Sequence, residues 1–447
     1  MIRKPTDSAY RGAEETVRRL RADGHRALLA GGCVRDLLRG EPPQDYDVAT
    51  SARPEQVQRI FPSTRPVGAE FGVCIVIMDG RPYEVATFRT DSAYSDGRHP
   101  DSVAFSGPEE DARRRDFTIN GMFWDPFEDS VLDFVGGRGD LEKGLIRAIG
   151  DPQRRFREDH LRLLRAVRFA ARFGFAIEER TRGAIESLAE LSVRVSAERL
   201  GQELRMILTD REPAAALRLM DELGMLCVVF PELEDAKGCE QPENYHPEGD
   251  VFVHSILTVE KLCPHPPFEL AMAALLHDIG KPEASRLGGP KRFPEHCQIG
   301  REMTYQVCRR LRLSNEETEL ICRLVERHLY FKDAPRMKES TLKRLFASPE
   351  FDQLAELHRA DALASWGNLE AYDYVMARRR SMPPEETQPP PLITGHDLIE
   401  MGYEPGPLFS KVLDAVRDAQ LDGEITTPEE ARSLAQRMAR DLGHQAS

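Results

Sequence analysis

The first third of the chain mixes helical and strand-like patterns of apolar residues. Residues 6–23 place Val17 and Leu20 on one helical face, with glutamate and arginine on the other. The apolar run 28–30 predicts a short buried strand, and 51–61 predicts a helix with Pro54 in its first turn. The runs 72–80 and 81–89 predict two strands around a glycine-containing turn. This pattern predicts a small mixed-sheet domain over residues 1–150.

The rest of the chain is patterned for helices. Residues from Phe156 to Gly174 predict one helix, because glycine is absent until Gly174. The proline-rich run 383–391, PPEETQPPP, predicts a rigid polar linker that joins no core. We therefore predict an α+β fold in which the first domain is followed by three all-helical regions, over 151–235, 236–382 and 392–447.

Composition narrows the class of protein. A chain of 447 residues is too long for one core. Its eight cysteines form no CxxC pair, which favours reduced thiols over disulfides or structural zinc. With no signal-peptide pattern and no apolar run long enough for a bilayer, we expect a soluble, cytoplasmic protein. The formal charge is −14, but seven arginines between 154 and 172 predict a local basic groove on an acidic body.

The stretch 31–47, GGCVRDLLRGEPPQDYD, carries the first candidate chemistry. Gly31 and Gly32 predict a tight turn into a helix whose free N–H groups face an anion, and Arg35 in its first turn can contact a phosphate. Asp45 and Asp47 follow with one residue between them, so on a strand both carboxylates share a face. Paired carboxylates suit Mg²⁺ beside substrate phosphates. A glycine turn followed by a solvated acidic loop remains the alternative.

Glu84 lies in the strand predicted over 81–89. It becomes a third carboxylate of this site if that strand neighbours the one carrying Asp45 and Asp47. The alternative is an exposed strand glutamate with no role.

These strings resemble the signatures of class II nucleotidyltransferases, the family of CCA-adding tRNA nucleotidyltransferases and bacterial poly(A) polymerases. The segment RRRDFTINGMFWDP, 113–126, resembles the family's RRDFTINA motif, with Gly121 where alanine is usual. The resemblance implies that Glu84 belongs to the site, that Arg115 contacts a phosphate or the sugar, and that Asp116 accepts from a ribose hydroxyl. A structural Arg–Asp pair is the alternative. The loop composition of 92–101 predicts a mobile loop, which resembles one that CC-only members lack.

The family's EDxxR motif matches at Glu158, Asp159 and Arg162. An aspartate accepts from the amino group that cytosine and adenine share, and an arginine donates to the adjacent ring acceptor. The resemblance therefore implies that Asp159 and Arg162 recognise the base and that Arg165 and Arg168 contact phosphate. A salt-bridged surface helix is the alternative. The segment ERLGQELRMIL resembles the following motif, whose Arg199 and Glu203 support helix packing.

The second half carries an ordered set of histidines and aspartates. His254, His277-Asp278 and Asp361 occur in helical segments, and this order resembles the HD-domain metal-dependent phosphohydrolases. The resemblance implies that these four residues bind a divalent ion such as Ni²⁺, Mn²⁺, Co²⁺ or Mg²⁺. His296 and His328 would complete a second metal position. A vestigial fold without metal is the alternative.

The resemblance implies transfer of nucleoside monophosphates from CTP and ATP to the 3′ end of tRNA, using Mg²⁺ in the first domain. No membrane association and no obligate protein partner are expected. Two alternatives stay open. One is an A-adding enzyme or poly(A) polymerase. The other is an HD phosphohydrolase whose first domain binds a nucleotide as a regulator.

Overall fold

The chain folds into two units, residues 1–231 and 232–447. The computed structural model describes residues 2–65, 72–92, 102–243, 246–289 and 291–441. The expected loop 92–101 therefore lies outside the described residues except for Ser92. The finer division into four regions remains a prediction.

The first unit is built on a seven-stranded mixed sheet, in the order β3-β4-β5-β2-β1-β8-β9. Strand β2 pairs in parallel with β5, while β1 pairs antiparallel with both β2 and β8. The α+β class is thus confirmed. The strands are β1 Ala27–Ala30, β2 Asp47–Thr50, β3 Thr64–Arg65, β4 Val73–Met78, β5 Arg81–Thr87, β6 Arg89–Asp91, β7 Val103–Phe105, β8 Met122–Asp125, β9 Ser130–Asp133, β10 Leu145–Ile146 and β11 Ala176–Ile177.

The core of this sheet follows from the period-two pattern of its strands. In β4, buried Cys74 and Val76 alternate with partly exposed residues. Helix α1, Ser8–Ala22, packs Val17 and Leu20 into the same core, and Asp7 caps it by accepting from the Tyr10 N–H at 2.8 Å. The helix predicted over 6–23 is therefore present.

The helix predicted from Phe156 to Gly174 is wrong, because the chain breaks at Asp159. The Asp159 backbone is extended, with φ −147°, and its side chain accepts from the Leu161 N–H at 3.1 Å. Such local bonds compete with helix formation. Gly174 does end the second helix in the left-handed region, with φ 65°.

Further helices of the first unit follow α1 along the chain. They are α2 Gly32–Leu38, α3 Pro54–Ile60, α4 Pro108–Arg114, α5 Gly137–Lys143, α6 Pro152–Glu158, α7 Leu161–Phe173, α8 Glu179–Leu188, α9 Ala197–Leu208, α10 Pro213–Glu222 and α11 Leu226–Val229.

The second unit is helical throughout the part that the structure describes. Its central helix, α13, is apolar on every side and buried. The helices are α12 Val251–Glu260, α13 Phe268–Leu276, α14 Lys281–Gly288, α15 His296–Arg310, α16 Asn315–Arg327, α17 Glu339–Ala347, α18 Phe351–Ala364, α19 Glu370–Ser381, α20 Pro384–Thr387, α21 Gly395–Glu400, α22 Pro407–Leu421 and α23 Pro428–Asp441.

The linker predicted over 383–391 is instead part of this unit. It contains helix α20, buries Thr387, and donates from Gln388 to the carbonyl of Ala347 in α17 at 3.1 Å. Helix α22 of the tail also contacts α17, where Arg344 donates to Asp418 at 2.7 Å. In neither unit do the described helices combine the length and apolarity that a bilayer crossing requires.

Candidate active sites

Three carboxylates meet at the interior strands β2 and β5 of the mixed sheet. Asp47 begins β2, and Asp45 lies two residues before it. The parallel pairing sets Val48 beside Val85, so Glu84 of β5 lies next to Asp47. Burial and the charges of Glu84 and Asp45 raise the pKa of Asp47 to about 7, against the lowering effect of Arg115. Carboxylates that repel one another in this way fit a hard divalent cation, which would remove the repulsion.

The glycine turn lies beside these carboxylates. Gly31 has φ 70°, and a Cβ there would lie 2.7 Å from Nη1 of Arg115, so a larger residue would be strained and would clash. The Gly31 N–H donates to the carbonyl of Met122 at 3.1 Å. Helix α2 then begins at Gly32, directly after this turn.

Arg35 is already engaged with protein groups. Its Nε donates to Asp36 at 2.8 Å and its Nη1 donates to the side-chain oxygen of Asn120 at 2.6 Å, while its guanidinium lies 4.6 Å from the centre of the Phe173 ring. The side chain is only 5% exposed. Arg35 therefore lines the site and also connects α2 to Asn120 and to Phe173 of α7, and its phosphate contact stays a prediction.

Arg115 and Asp116 are not paired with each other. Arg115 donates from Nη2 to Asp111 at 3.1 Å, whereas Asp116 accepts from Arg165 Nε at 2.9 Å. Burial opposes ionisation of Asp116, but Arg165 and hydrogen bonds from Asn120 and the Phe117 N–H lower its pKa to about 2. Both oxygens of Asp116 are occupied, so a ribose hydroxyl would have to share one of them or displace Arg165.

Asp159, between α6 and α7, is held by a residue of helix α9. Nη1 and Nη2 of Arg199 donate to its two oxygens at 3.0 and 2.9 Å and form a bidentate pair. Arg162 instead donates to Glu158 at 3.1 Å. The two residues predicted to present one hydrogen-bonding edge thus have different partners, and Arg199 belongs to the site as well as to the helix packing.

Arg168 forms a buried ion pair with Glu203. Its Nε donates to Oε1 at 2.6 Å, and the two side chains are 7% and 1% exposed. Arg168 therefore links α7 and α9, and its phosphate contact stays a prediction.

Truncating this pair should mainly cost stability. Arg168→Ala leaves Glu203 charged and buried, so we expect a loss of about 3–5 kcal/mol in the free energy of unfolding, measured by urea denaturation. Arg154→Ala is the matched control, because Arg154 makes an exposed pair with Glu158 and should change stability by less than about 0.5 kcal/mol. If Arg168→Ala is as stable as wild type but binds the nucleotide more weakly, the result would support the predicted contact between Arg168 and a phosphate.

One cavity of about 580 Å³ in the first unit brings all these groups together. This volume is typical of a nucleotide-sized ligand site. Its lining includes every residue predicted for this site: Gly31, Gly32, Arg35, Asp45, Asp47, Glu84, Arg115, Asp116, Asp159, Arg162, Arg165 and Arg168.

The predicted metal ligands of the second unit also converge. His254 Nε2 lies 3.1 Å from His277 Nε2 and 3.0 Å from Asp361 Oδ1. His277 Nε2 lies 3.2 Å from Asp278 Oδ2. Burial alone would lower the pKa of His254, but its hydrogen bonds to Asp361 and Glu248 raise it to about 9. The imidazoles of His254 and His277 and the carboxylates of Asp278 and Asp361 thus lie within coordinating distance of one another. This combination of ligands suits a divalent transition metal.

His296 and His328 lie on the other side of Asp278. The Nε2 atom of each is 3.6 Å from Asp278 Oδ1. This oxygen is buried and has no hydrogen-bond partner among the residues that the structure describes. An orphaned carboxylate oxygen facing two imidazole nitrogens fits a second cation, with Asp278 between the two positions.

Three family matches cover most of this framework. Residues 27–147 match the Poly A polymerase head domain, 174–237 match the probable RNA and SrmB-binding site of polymerase A, and 252–366 match the HD domain. The chain therefore combines a region similar to the Poly A polymerase head domain, a region similar to the RNA-binding site of polymerase A, and a region similar to the HD domain.

Individual family members show where the likeness is strongest. The CCA-adding enzyme of Geobacillus thermodenitrificans (strain NG80-2) is 45% identical over 210 residues, which is 47% of this chain and 52% of that protein. The CCA-adding enzyme of Lactiplantibacillus plantarum (strain ATCC BAA-793 / NCIMB 8826 / WCFS1) is 40% identical over 218 residues, 48% of this chain and 53% of that protein. The match thus spans about half the length of these curated relatives.

Solved structures of family members match nearly the whole chain. The Bacillus stearothermophilus CCA-adding enzyme in complex with CTP has a TM-score of 0.71 at 28% identity, covering 98% of this chain and 100% of that one. The Thermotoga maritima CCA-adding enzyme complexed with tRNA shares the fold, with a TM-score of 0.55 at 22% identity and coverage of 98% and 97%.

The motifs of the family left several site residues unpredicted. Lys281 donates to Asp278 Oδ2 at 2.6 Å, and its place three residues after Asp278 on the same helical turn is a signal that could have found it. Glu248 and His246 also lie at this centre, and they occur in a loop where no periodic pattern indicates them. Arg199 thus joins the residues of the first site, and Lys281, Glu248 and His246 join those of the second.

Proposed function

We propose that the chain transfers CMP and AMP from CTP and ATP to the 3′ end of tRNA, releasing pyrophosphate. The observation that supports this is the single cavity in which head carboxylates Asp45, Asp47 and Glu84 lie with the arginines and Asp159 of the helices that follow. The names of the relatives support the same activity, since they are CCA-adding enzymes.

The carboxylates have one role in this reaction. Asp45 and Asp47 would hold Mg²⁺ ions, with Glu84 adjoining them. Such ions, when bound, favour ionisation of the attacking 3′ hydroxyl and neutralise the leaving pyrophosphate. The arginines of the cavity supply positive charge for the triphosphate. To bind it, each arginine would leave its present carboxylate partner or donate to both groups at once.

The direct test is nucleotide addition to defined RNA ends. The protein is incubated with Mg²⁺, labelled CTP or ATP, and tRNAs that end before C, after C, after CC or after CCA. We expect C and then A to be added up to CCA, followed by arrest. Extension by A alone, or continued addition of A, would favour the A-adding or poly(A) alternative. No extension of any end would contradict the proposal.

Base selection is the second testable part of this function. Asp159→Ala removes an acceptor for the amino group of cytosine and adenine, so UTP and GTP should compete. A mismatched edge typically costs about 1–3 kcal/mol, so the preference for CTP over UTP should fall roughly 5- to 150-fold in a competition assay. Arg199→Gln is the companion variant, because it frees the same carboxylate without removing it. Unchanged selectivity in Asp159→Ala would show that Asp159 does not recognise the base.

We also propose that the HD centre hydrolyses a phosphoester with a divalent transition metal such as Mn²⁺ or Ni²⁺. The supporting observation is the orphaned Oδ1 of Asp278 between His296 and His328, since a vestigial centre has no reason to keep a buried unpaired carboxylate oxygen. Metal-dependent hydrolysis of a chromogenic phosphodiester is the test. If hydrolysis were found without nucleotide addition, the regulatory-head alternative would be favoured.

A further inference from the structure

The histidines of the HD centre are oriented by two different kinds of hydrogen bond. His277, His296 and His328 each place Nδ1 within 2.7–3.0 Å of the backbone carbonyl three residues earlier. A ring that donates from Nδ1 leaves Nε2 unprotonated, which is the form that binds a metal. For these three histidines a backbone carbonyl sets the tautomer.

His254 is oriented by a side chain instead. Its Nδ1 lies 2.6 Å from Oε1 of Glu248, whose side chain is only 7% exposed. The same oxygen lies 2.9 Å from Nδ1 of His246, and the His246 ring packs edge-on against that of His254, with ring centres 4.8 Å apart. Glu248 thus contacts both rings while its own chain segment lies before α12.

The position of His254 makes this contact important. Its Nε2 lies within 3.0–3.6 Å of His277, Asp278 and Asp361, so it is the ligand atom closest to the rest of the proposed metal position. A carboxylate that accepts from the far nitrogen of a metal-bound imidazole fixes the ring and raises the basicity of the ligand nitrogen. A backbone carbonyl, being uncharged, supplies the orientation with less of the electrostatic effect.

We propose that Glu248 is the positioning residue of the HD centre: it fixes the ring and the tautomer of His254 for the divalent cation, and His246 holds Glu248 in place. This inference rests on the proposed phosphohydrolase function. It assigns a role to two residues that no sequence motif indicated, and it gives the centre one support that can be altered without changing any ligand.

The test measures metal binding rather than turnover. The full-length chain, carrying Asp45→Asn and Asp47→Asn to remove binding by the first unit, is stripped with a chelator and titrated with Mn²⁺ or Co²⁺. We expect Glu248→Gln to weaken binding 10- to 100-fold and to change the visible absorption spectrum of bound Co²⁺. Glu248→Asp, which keeps the charge, should recover part of the affinity, and His246→Ala should lose less than Glu248→Gln.

Glu240→Gln is the matched control, because Glu240 is 76% exposed in the same loop region and pairs with Lys291. It should change neither the affinity nor the Co²⁺ spectrum. Wild-type affinity and spectrum in a folded Glu248→Gln protein would overturn the role of Glu248 alone. Should Glu248→Gln not fold, unchanged binding by Glu248→Asp and by His246→Ala would overturn it equally. If His277→Ala with Asp278→Ala binds metal as well as the parent, the HD centre itself is absent and the inference falls with it.

Discussion

Asp47→Asn should abolish nucleotide addition and, at the same time, stabilise the metal-free protein at neutral pH. The substitution keeps the size of the side chain but removes a charge that the proposed Mg²⁺ site requires. Metal stabilisation of a transition state contributes several kcal/mol, and each 1.36 kcal/mol is tenfold in rate, so we expect a loss of about 1,000-fold or more. Extension of tRNA by labelled CTP measures it.

The effect on stability has a defined pH dependence. The pKa of Asp47 is raised from 3.8 to about 7, first by burial and then by Glu84 and Asp45. Between these values the unfolded chain releases the proton while the folded protein retains it, so stability falls as pH rises from about 4 to 7. For a partly exposed carboxylate this amounts to something on the order of 2 kcal/mol.

Urea denaturation of chelated protein at pH 5 and pH 8 checks this expectation. Wild type should lose stability between the two pH values by more than Asp47→Asn, and added Mg²⁺ at pH 8 should close the gap. Glu142→Gln is a suitable control, because that side chain is 70% exposed. Normal nucleotide addition by folded Asp47→Asn, or equal pH dependence in the two proteins, would contradict the assignment.

The site in the first unit was predictable where short-range spacing determines it. Asp45 and Asp47 are separated by one residue, and both line the cavity although only Asp47 lies within β2. The neighbouring position of Glu84 was predictable only as a condition, because β2 and β5 are parallel strands far apart in the chain and no local pattern specifies their pairing.

The long-range ion pairs of the first unit were not predicted from the sequence. Asp159 pairs with Arg199, Asp116 with Arg165 and Arg168 with Glu203. Every one of these pairs joins different elements. The arginine-rich segment therefore indicated that arginines would line a site. It did not indicate which carboxylate each guanidinium would pair with.

The HD centre was easier to predict, because its ligands have distinctive residue types in a fixed chain order. The hydrogen bonds that orient them were only partly predictable. For His277 and His328, which directly follow helices, a carbonyl partner three residues earlier follows from the helix. Phe293 and Glu248, the partners of His296 and His254, lie outside helices, where no periodic pattern indicates them. The linker prediction over 383–391 was wrong because of a long-range contact. This segment contains the short helix α20 and bonds to α17, which no local pattern indicates.

The two sites should be chemically separable, and this is the second large effect that we expect. Their cavity linings share no residue and lie in different units. The first is lined by carboxylates that suit Mg²⁺, and the second mixes imidazole with carboxylate and suits a transition metal. His277→Ala with Asp278→Ala should therefore abolish Mn²⁺- or Ni²⁺-stimulated phosphoester hydrolysis, while nucleotide addition in Mg²⁺ stays within about twofold of wild type.

The reciprocal variant removes the first site and keeps the second. Asp47→Ala should eliminate nucleotide addition and leave hydrolysis intact, because no ligand of the HD centre is altered. His277 and Asp278 are almost fully buried, so the isosteric pair His277→Gln with Asp278→Asn replaces the double alanine if circular dichroism shows that the latter is unfolded. Loss of nucleotide addition in a folded HD variant would show that the two units are energetically coupled, since neither changed residue lines the nucleotide cavity.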